Sequence, residues 1–107
     1  MEKRPTSLDL IVAADVLVYI GDVARLFAAV AKALREGGVF LFSAEASPDV
    51  DFLLLPTQRF AHSLVYLQRL AGANDLAVRM IEESVLRLEK GHDVRGYLML
   101  MEKMRLK

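Results

Sequence analysis

The sequence predicts a single α/β domain on a largely parallel sheet, and three observations predict it. The run "LDLIVAA" (8–14) is apolar on both parities, the pattern of a strand covered on both faces. In "GDVARLFAAVAKALREGG" (21–38), Val23, Leu26, Phe27, Val30, Ala31 and Leu34 recur at helical spacing and form one stripe. "VFLFS" (39–43) is a second buried strand. Strand, helix and strand at this spacing make a βαβ unit with a right-handed crossover.

The helix over 23–34 has its own punctuation. Asp22 is placed to cap its start, Lys32 and Arg35 suit the negative end of its dipole, and Gly37-Gly38 stops it. "AEASPDVD" (44–51) is polar and turn-rich, and "FLLLPTQRFAH" (52–62) has no regular period. Ser63 then caps a second helix, "LVYLQRLA", with Leu64, Leu67, Leu70 and Ala71 inward and Gly72 ending it. Residues 76–89 alternate loosely, and "KGHD" (90–93) is a hairpin turn signal. "VRGYLMLMEK" (94–103) is apolar from Tyr97 to Met101, so it belongs in the middle of a sheet. No repeat, low-complexity tract or linker divides the chain.

Composition removes several functions. Lys plus Arg and Asp plus Glu are both 14, so no global field favours nucleic acid, an anionic membrane or an acidic partner. Without cysteine there is no disulfide, thiolate nucleophile or sulfur-based zinc site, and the cytoplasm is the default compartment. The N-terminus lacks the apolar core of a signal peptide, and the longest apolar stretches fall far short of the roughly 20 residues that span a bilayer. One total is unusual: 54% of the residues are hydrophobic in a chain of 107. Its mean hydropathy is +0.30. A short chain has little interior in which to hide such residues, so it either self-associates or forms part of something larger.

The order strand, helix, "LREGG", strand, loop, helix, strand, hairpin, strand resembles the C-terminal half of a class I S-adenosylmethionine-dependent methyltransferase. "DLIVAADVLVYIGD" (9–22), "RFAHSLVYLQRLAG" (59–72) and "VLRLEKGHDVRG" (85–96) are most similar to bacterial methyltransferases often joined to tetratricopeptide repeats. The resemblance runs from Leu8 to Lys103. It implies a partial Rossmann-like sheet in the order 4-5-7-6, with strand 7 antiparallel and helices on its faces. It also implies that strands 1 to 3, with the glycine-rich loop and the ribose-binding acid of such enzymes, would precede Leu8. S-adenosylmethionine is then the cofactor of the intact enzyme, with none held by this chain alone.

By that resemblance Asp15 follows strand 4, where the pocket opens at the carboxyl ends of the strands. There it is the candidate catalytic residue, orienting an acceptor amine or hydroxyl or taking its proton; otherwise it only ends a strand. Ala14, Asp15 and Val16 would lie beside the cofactor. Tyr19 either walls the same pocket or packs on the next helix. Arg59 and His62 either contact a substrate carboxylate or phosphate, or are a snorkelling arginine and a pre-cap histidine. His62 and His92 are distant in sequence with no carboxylate at ligand spacing, so no metal is expected. Glu82-Glu83 reads as a strand face, the five methionines as core filler, and no Ser-His-Asp or phosphate-loop pattern occurs.

Three functions stay open on this evidence: the substrate-side half of a methyltransferase, a non-catalytic dimerising α/β module, and an unrelated α/β interaction domain. In the second, with strands 1 to 3 absent, the strand at 9–14 is an unprotected edge. A homodimer burying Leu10, Ile11, Val12 and part of the 23–34 helix is expected.

Overall fold

The computed structural model describes residues 8–47, 50–89 and 91–105. Lys90, placed by the sequence in a hairpin turn, lies outside them. In chain order the elements are β1 (Leu8–Ala13), a 3-10 turn (Leu17–Tyr19), α1 (Ala24–Ala33), β2 (Leu34–Ala46), β3 (Phe52–Leu54), β4 (Phe60–His62), α2 (Leu64–Ala73), β5 (Leu76–Glu89) and β6 (His92–Lys103). It is a mixed α/β fold with two helices on one sheet.

β2 is the axis of that sheet. β1 lies parallel along one edge, pairing Leu10 with Val39 and Ala13 with Phe42. Where β1 stops, β4 takes over the same edge, pairing Glu45 with Ala61 and Ala46 with His62. β6 runs antiparallel along the other edge, and β5 is antiparallel outside β6. The β5–β6 hairpin accounts for the elongated shape: fourteen residues at about 3.3 Å each nearly match the 47 Å long axis.

One face of this sheet carries the core. Phe40 and Phe42 of β2, Met99 and Met101 of β6 and Ala13 of β1 pack with Phe27, Val30 and Ala31 of α1 and Tyr66, Leu67 and Ala71 of α2. Phe27 meets Phe40 and Phe42 edge-on, with centroids 5.7 and 5.6 Å apart, the geometry their quadrupoles favour. Both helices therefore lie on the same side. This corrects the reading of "LDLIVAA" as covered on both faces: Ile11 and Ala13 turn toward the core, while Leu8, Leu10 and Val12 are exposed among the described residues. An apolar residue on each parity shows only that both faces are hydrophobic, not that both are covered.

The helices differ in detail from the sequence expectation. α1 ends at Ala33, and Leu34 already begins β2. Gly37 and Gly38 lie beyond the helix end; Gly37 has φ +83°, where a side chain is strained. A Cβ on Gly38 would come within 3.0 Å of the Leu8 carbonyl. Asp22 sits one residue before the N-cap, Val23, and its Oδ1 accepts the Ala24 N–H at 3.0 Å. Ser63 does cap α2, its Oγ accepting the Tyr66 N–H at 3.1 Å. Gly72 lies within α2, which ends instead at Asn74, whose side-chain amide donates to the Leu70 carbonyl at 2.8 Å. The segment without a period folds as the short β3–β4 hairpin, pairing Phe52 with His62 and Leu54 with Phe60.

Candidate functional site

Three segments meet at the carboxyl ends of β1 and β2. The first is the bend after β1. Asp15 has φ +59°, an uncommon conformation for a residue with a side chain. Its N–H donates to Ser43 Oγ on β2 at 3.0 Å, which fixes the bend to the neighbouring strand. The second segment is the end of β2, where Ser43 and Glu45 stand two residues apart on one parity. Arg59, immediately before β4, supplies the third; the residue before it, Gln58, also has positive φ, at +69°.

Arg59 ties the three together. Its Nε–H donates to Glu45 Oε2 at 3.1 Å, one terminal nitrogen donates to Asp15 Oδ1, and the other lies 3.5 Å from the Tyr19 hydroxyl. Its guanidinium also sits over the Tyr19 ring, 5.3 Å from the centroid. Burial opposes the Arg59 charge, but the two carboxylates outweigh it and hold its pKa above the usual arginine value. Exposure orders the cluster in depth: the Glu45 side chain is 2% exposed, Arg59 18% and Asp15 63%. The base is a buried acid, the middle a neutralising arginine, and the surface a carboxylate with one oxygen outside the Arg59 pair.

His62 lies below this cluster and is fully buried. Its Nε2 is 2.8 Å from the Ile20 carbonyl and 3.0 Å from that of Gly21. Carbonyls only accept, so Nε2 carries the proton, and Nδ1 is left buried with no hydrogen-bond partner among the described residues. Burial lowers the His62 pKa; the Gly21 and Ile20 carbonyls and Glu45 oppose the shift without reversing it. The ring lies nearly parallel to Tyr66, whose hydroxyl donates to Asp22 Oδ1 at 3.0 Å and accepts the Val23 N–H at 3.1 Å. His62 and Tyr66 thus anchor the chain from Ile20 to Val23 against β4 and α2.

The sequence candidates therefore divide. Asp15, Tyr19 and Arg59 come together although Arg59 is 44 residues from Asp15. Ala14 and Val16 flank Asp15 and are exposed. His62 faces inward as a brace, with no surface for a substrate anion. Arg59 is engaged by two carboxylates of the protein itself. Glu45 is the residue that sequence reasoning did not single out. Its one signal is a lone charge in the small-residue run "SAEAS" at a strand end. Among the described residues, no group of three or more His, Asp or Glu side chains is placed to hold a metal ion. No described helix is long and apolar enough to cross a membrane.

With this geometry in view, the fold can be compared with known proteins. No family model matches the sequence, and no curated relative matches it. Solved structures do match. An S-adenosylmethionine-dependent methyltransferase from Methanosarcina mazei superposes with a TM-score of 0.77 at 14% identity, over 97% of this chain and 63% of that one. The 1,6-didemethyltoxoflavin N1-methyltransferase of Burkholderia thailandensis, solved with its substrate and S-adenosylhomocysteine, gives 0.71 at 14% identity, over 98% and 47%. The cyclase SpnF gives 0.76 at 12% identity, over 97% and 53%. The chain thus has the fold of the class I S-adenosylmethionine-dependent methyltransferases and spans about half to two thirds of these structures' lengths. At such identities the likeness is one of fold. SpnF, named as a cyclase, illustrates that fold alone does not set the reaction.

Proposed function

We propose that this chain is the substrate-side half of an S-adenosylmethionine-dependent methyltransferase, with β1, β2, β5 and β6 in the places of strands 4, 5, 6 and 7. The observation that carries the proposal is the Asp15–Arg59–Glu45 cluster at the carboxyl ends of β1 and β2, where open α/β sheets bind their ligands. Ala14, Asp15 and Val16 suit the cofactor's side of that opening: two small apolar residues flank a carboxylate whose charge complements a sulfonium. When bound, S-adenosylmethionine supplies an electrophilic methyl group.

The chain's own residues then do three things. Asp15 uses its outer carboxylate oxygen to orient an acceptor N–H or O–H and to take its proton as the new bond forms. Arg59 and the Ser43 hydroxyl hold Asp15 in its left-handed conformation, so the carboxylate is positioned before any ligand arrives. Tyr19, exposed beside them, forms a wall of the opening. With the glycine-rich side of the fold outside this chain, these contacts support only weak cofactor affinity. The test is a titration of ¹⁵N-labelled chain with S-adenosylhomocysteine followed by amide shifts. Saturable shifts at residues 14–16 in the millimolar range, lost in Asp15→Ala, are expected. No shift at these residues up to 10-fold above about 1 mM, an affinity of only about 4 kcal/mol, rules the cofactor reading out.

A further inference from the structure

The charges around Asp15 bear on what the opening can hold. Arg59 donates from Nε to Glu45 Oε2 at 3.1 Å and from one terminal nitrogen to Asp15 Oδ1, and its other terminal nitrogen lies 3.5 Å from the Tyr19 hydroxyl. Its side chain is only 18% exposed, so its fork is committed to the protein's own oxygens. Other described cations serve elsewhere. Arg69 pairs with Asp51, Arg35 with Asp9 at the amino end of β1, and Arg25 lies within electrostatic reach of Asp22. His62 is buried, with its Nε2–H turned to the Ile20 and Gly21 carbonyls. A carboxylate or phosphate entering beside Asp15 would meet a like charge in front of an arginine already engaged.

What the opening presents is a carboxylate oxygen and an aromatic ring. Asp15 is 63% exposed, and its Oδ1 is the oxygen drawn into the Arg59 pair, which leaves Oδ2 outward. Its left-handed backbone and the bond from its N–H to Ser43 Oγ fix that oxygen before any ligand arrives. Tyr19 is 64% exposed, with the Arg59 guanidinium over its ring.

We infer that the acceptor taken here is a protonated amine, its ammonium on the outer oxygen of Asp15 and its adjoining carbon against the exposed Tyr19 ring. This rests on the methyltransferase reading and narrows it, since that reading admits any N–H or O–H acceptor. Three physical reasons select the amine. A hydrogen bond from an ammonium to a carboxylate is roughly twice as strong as one between neutral groups. The face of a tyrosine attracts a cation and has no comparable pull on a hydroxyl. The third reason is proton transfer. An alkylammonium, like the lysine side chain, releases its proton near pH ~10.4, whereas a hydroxyl such as that of water holds it to about 15.7. A carboxylate is a workable base for the first and a poor one for the second. In that transfer an N–H bond breaks, its electron pair stays on nitrogen as the lone pair, and an O–H bond forms at the outer oxygen of Asp15. The exposed carboxyl then passes the proton to water.

An isosteric series isolates the charge: benzylammonium, benzyl alcohol and benzoate, each titrated into the ¹⁵N-labelled full chain at about pH 7 and followed at the Asp15, Val16, Tyr19 and Ser43 amides. Benzylammonium should saturate in the millimolar range, about fivefold or more tighter than benzyl alcohol, the size of one exposed ion pair. Benzoate should not saturate. Raising salt from about 0.05 to about 0.5 M should remove most of the preference. Asp15→Asn keeps the side chain's size and suits the left-handed conformation; it should make the amine and the alcohol equal. Glu82→Gln removes an exposed carboxylate from β5, beyond β6 from the site, and should change nothing. Benzoate binding as tightly as the amine overturns the inference, and so does an amine no tighter than the alcohol. No saturation by any of the three up to about 100 mM, weaker than about 2 kcal/mol, overturns it too, as does a preference that survives in Asp15→Asn. The cofactor reading fails separately. Shifts with S-adenosylhomocysteine at residues 14–16 but no amine preference would sink the amine and leave the methyltransferase; an amine preference without those shifts would do the reverse.

Discussion

Replacing Gly96 with alanine puts a methyl carbon where β2 already stands. Gly96 pairs with Glu45 across the β2–β6 ladder. An added Cβ would lie 2.2 Å from the Ala44 carbonyl oxygen, 2.5 Å from Leu86 Cδ1 and 3.0 Å from Glu45 Cα. Leu86 can rotate away, but the backbone atoms cannot. Restoring an ordinary contact of 3.4 Å to the carbonyl needs an opening of 1.2 Å (3.4 minus 2.2). That opening breaks ladder hydrogen bonds worth about 1 kcal/mol each net and adds overpacking strain of about 1–3 kcal/mol. A destabilisation of about 3 kcal/mol follows, large beside the roughly 5–15 kcal/mol that holds a domain together. In urea, with a slope of about 2 kcal/mol/M, the midpoint should fall by about 1.5 M. Glu45 moves with the strand and takes Arg59 with it, so the Asp15 and Tyr19 resonances should shift as well. A fall below about 0.3 M, with Asp15 unmoved, would show that the ladder is looser here than the contacts require.

Other perturbations test separate parts of the argument. Gly72→Ala meets nothing within 4 Å and removes a flexible residue from within α2, so it should raise stability by about 0.5–1 kcal/mol in the same urea assay. Arg59→Met leaves Glu45 buried without its guanidinium and should cost about 3 kcal/mol, whereas Asp15→Asn, at the exposed end of the network, should cost under about 1 kcal/mol; equal losses would contradict the depth ordering. His62 is depressed by burial, so on acidification the unfolded chain takes the proton first. Stability should be level above about pH 6.5 and fall below it toward the lower folded pKa. His62→Gln should remove that fall, as urea midpoints at several pH values would reveal. Ser63→Ala deletes the α2 cap and should cost about 1 kcal/mol by thermal melting.

Much of the architecture is legible because its causes are local. The stripe from Val23 to Leu34 specifies an amphipathic helix, Ser63 offers a cap three residues before the amide it binds, and the apolar centre of 97–101 belongs to a strand with neighbours on both sides. The β3–β4 hairpin is less legible. "FLLLPTQRFAH" has no period because its short strands owe their order to pairing with each other and with the end of β2. The site is half legible. Asp15 follows from its place after a strand, but Glu45 looks like a turn residue until Arg59 is brought to it from 14 positions away. His62 reads equally as ligand-facing or capping, and only the carbonyls of Ile20 and Gly21, 42 and 41 residues away, make it a brace.

The sequence by itself determined where the two helices and the four longer strands lie, the absence of cysteine chemistry, the balance of charge and the excess of apolar residues. Each is set by residue type and spacing within a few turns of chain. Tertiary structure decided which face of the sheet the helices cover, which carboxylates share Arg59 and that His62 loses contact with water. A strand that is hydrophobic on both sides does not encode which side will be packed. That choice belongs to the crossover of α1 and the docking of α2, which bury one face and leave Leu10 and Val12 on the other.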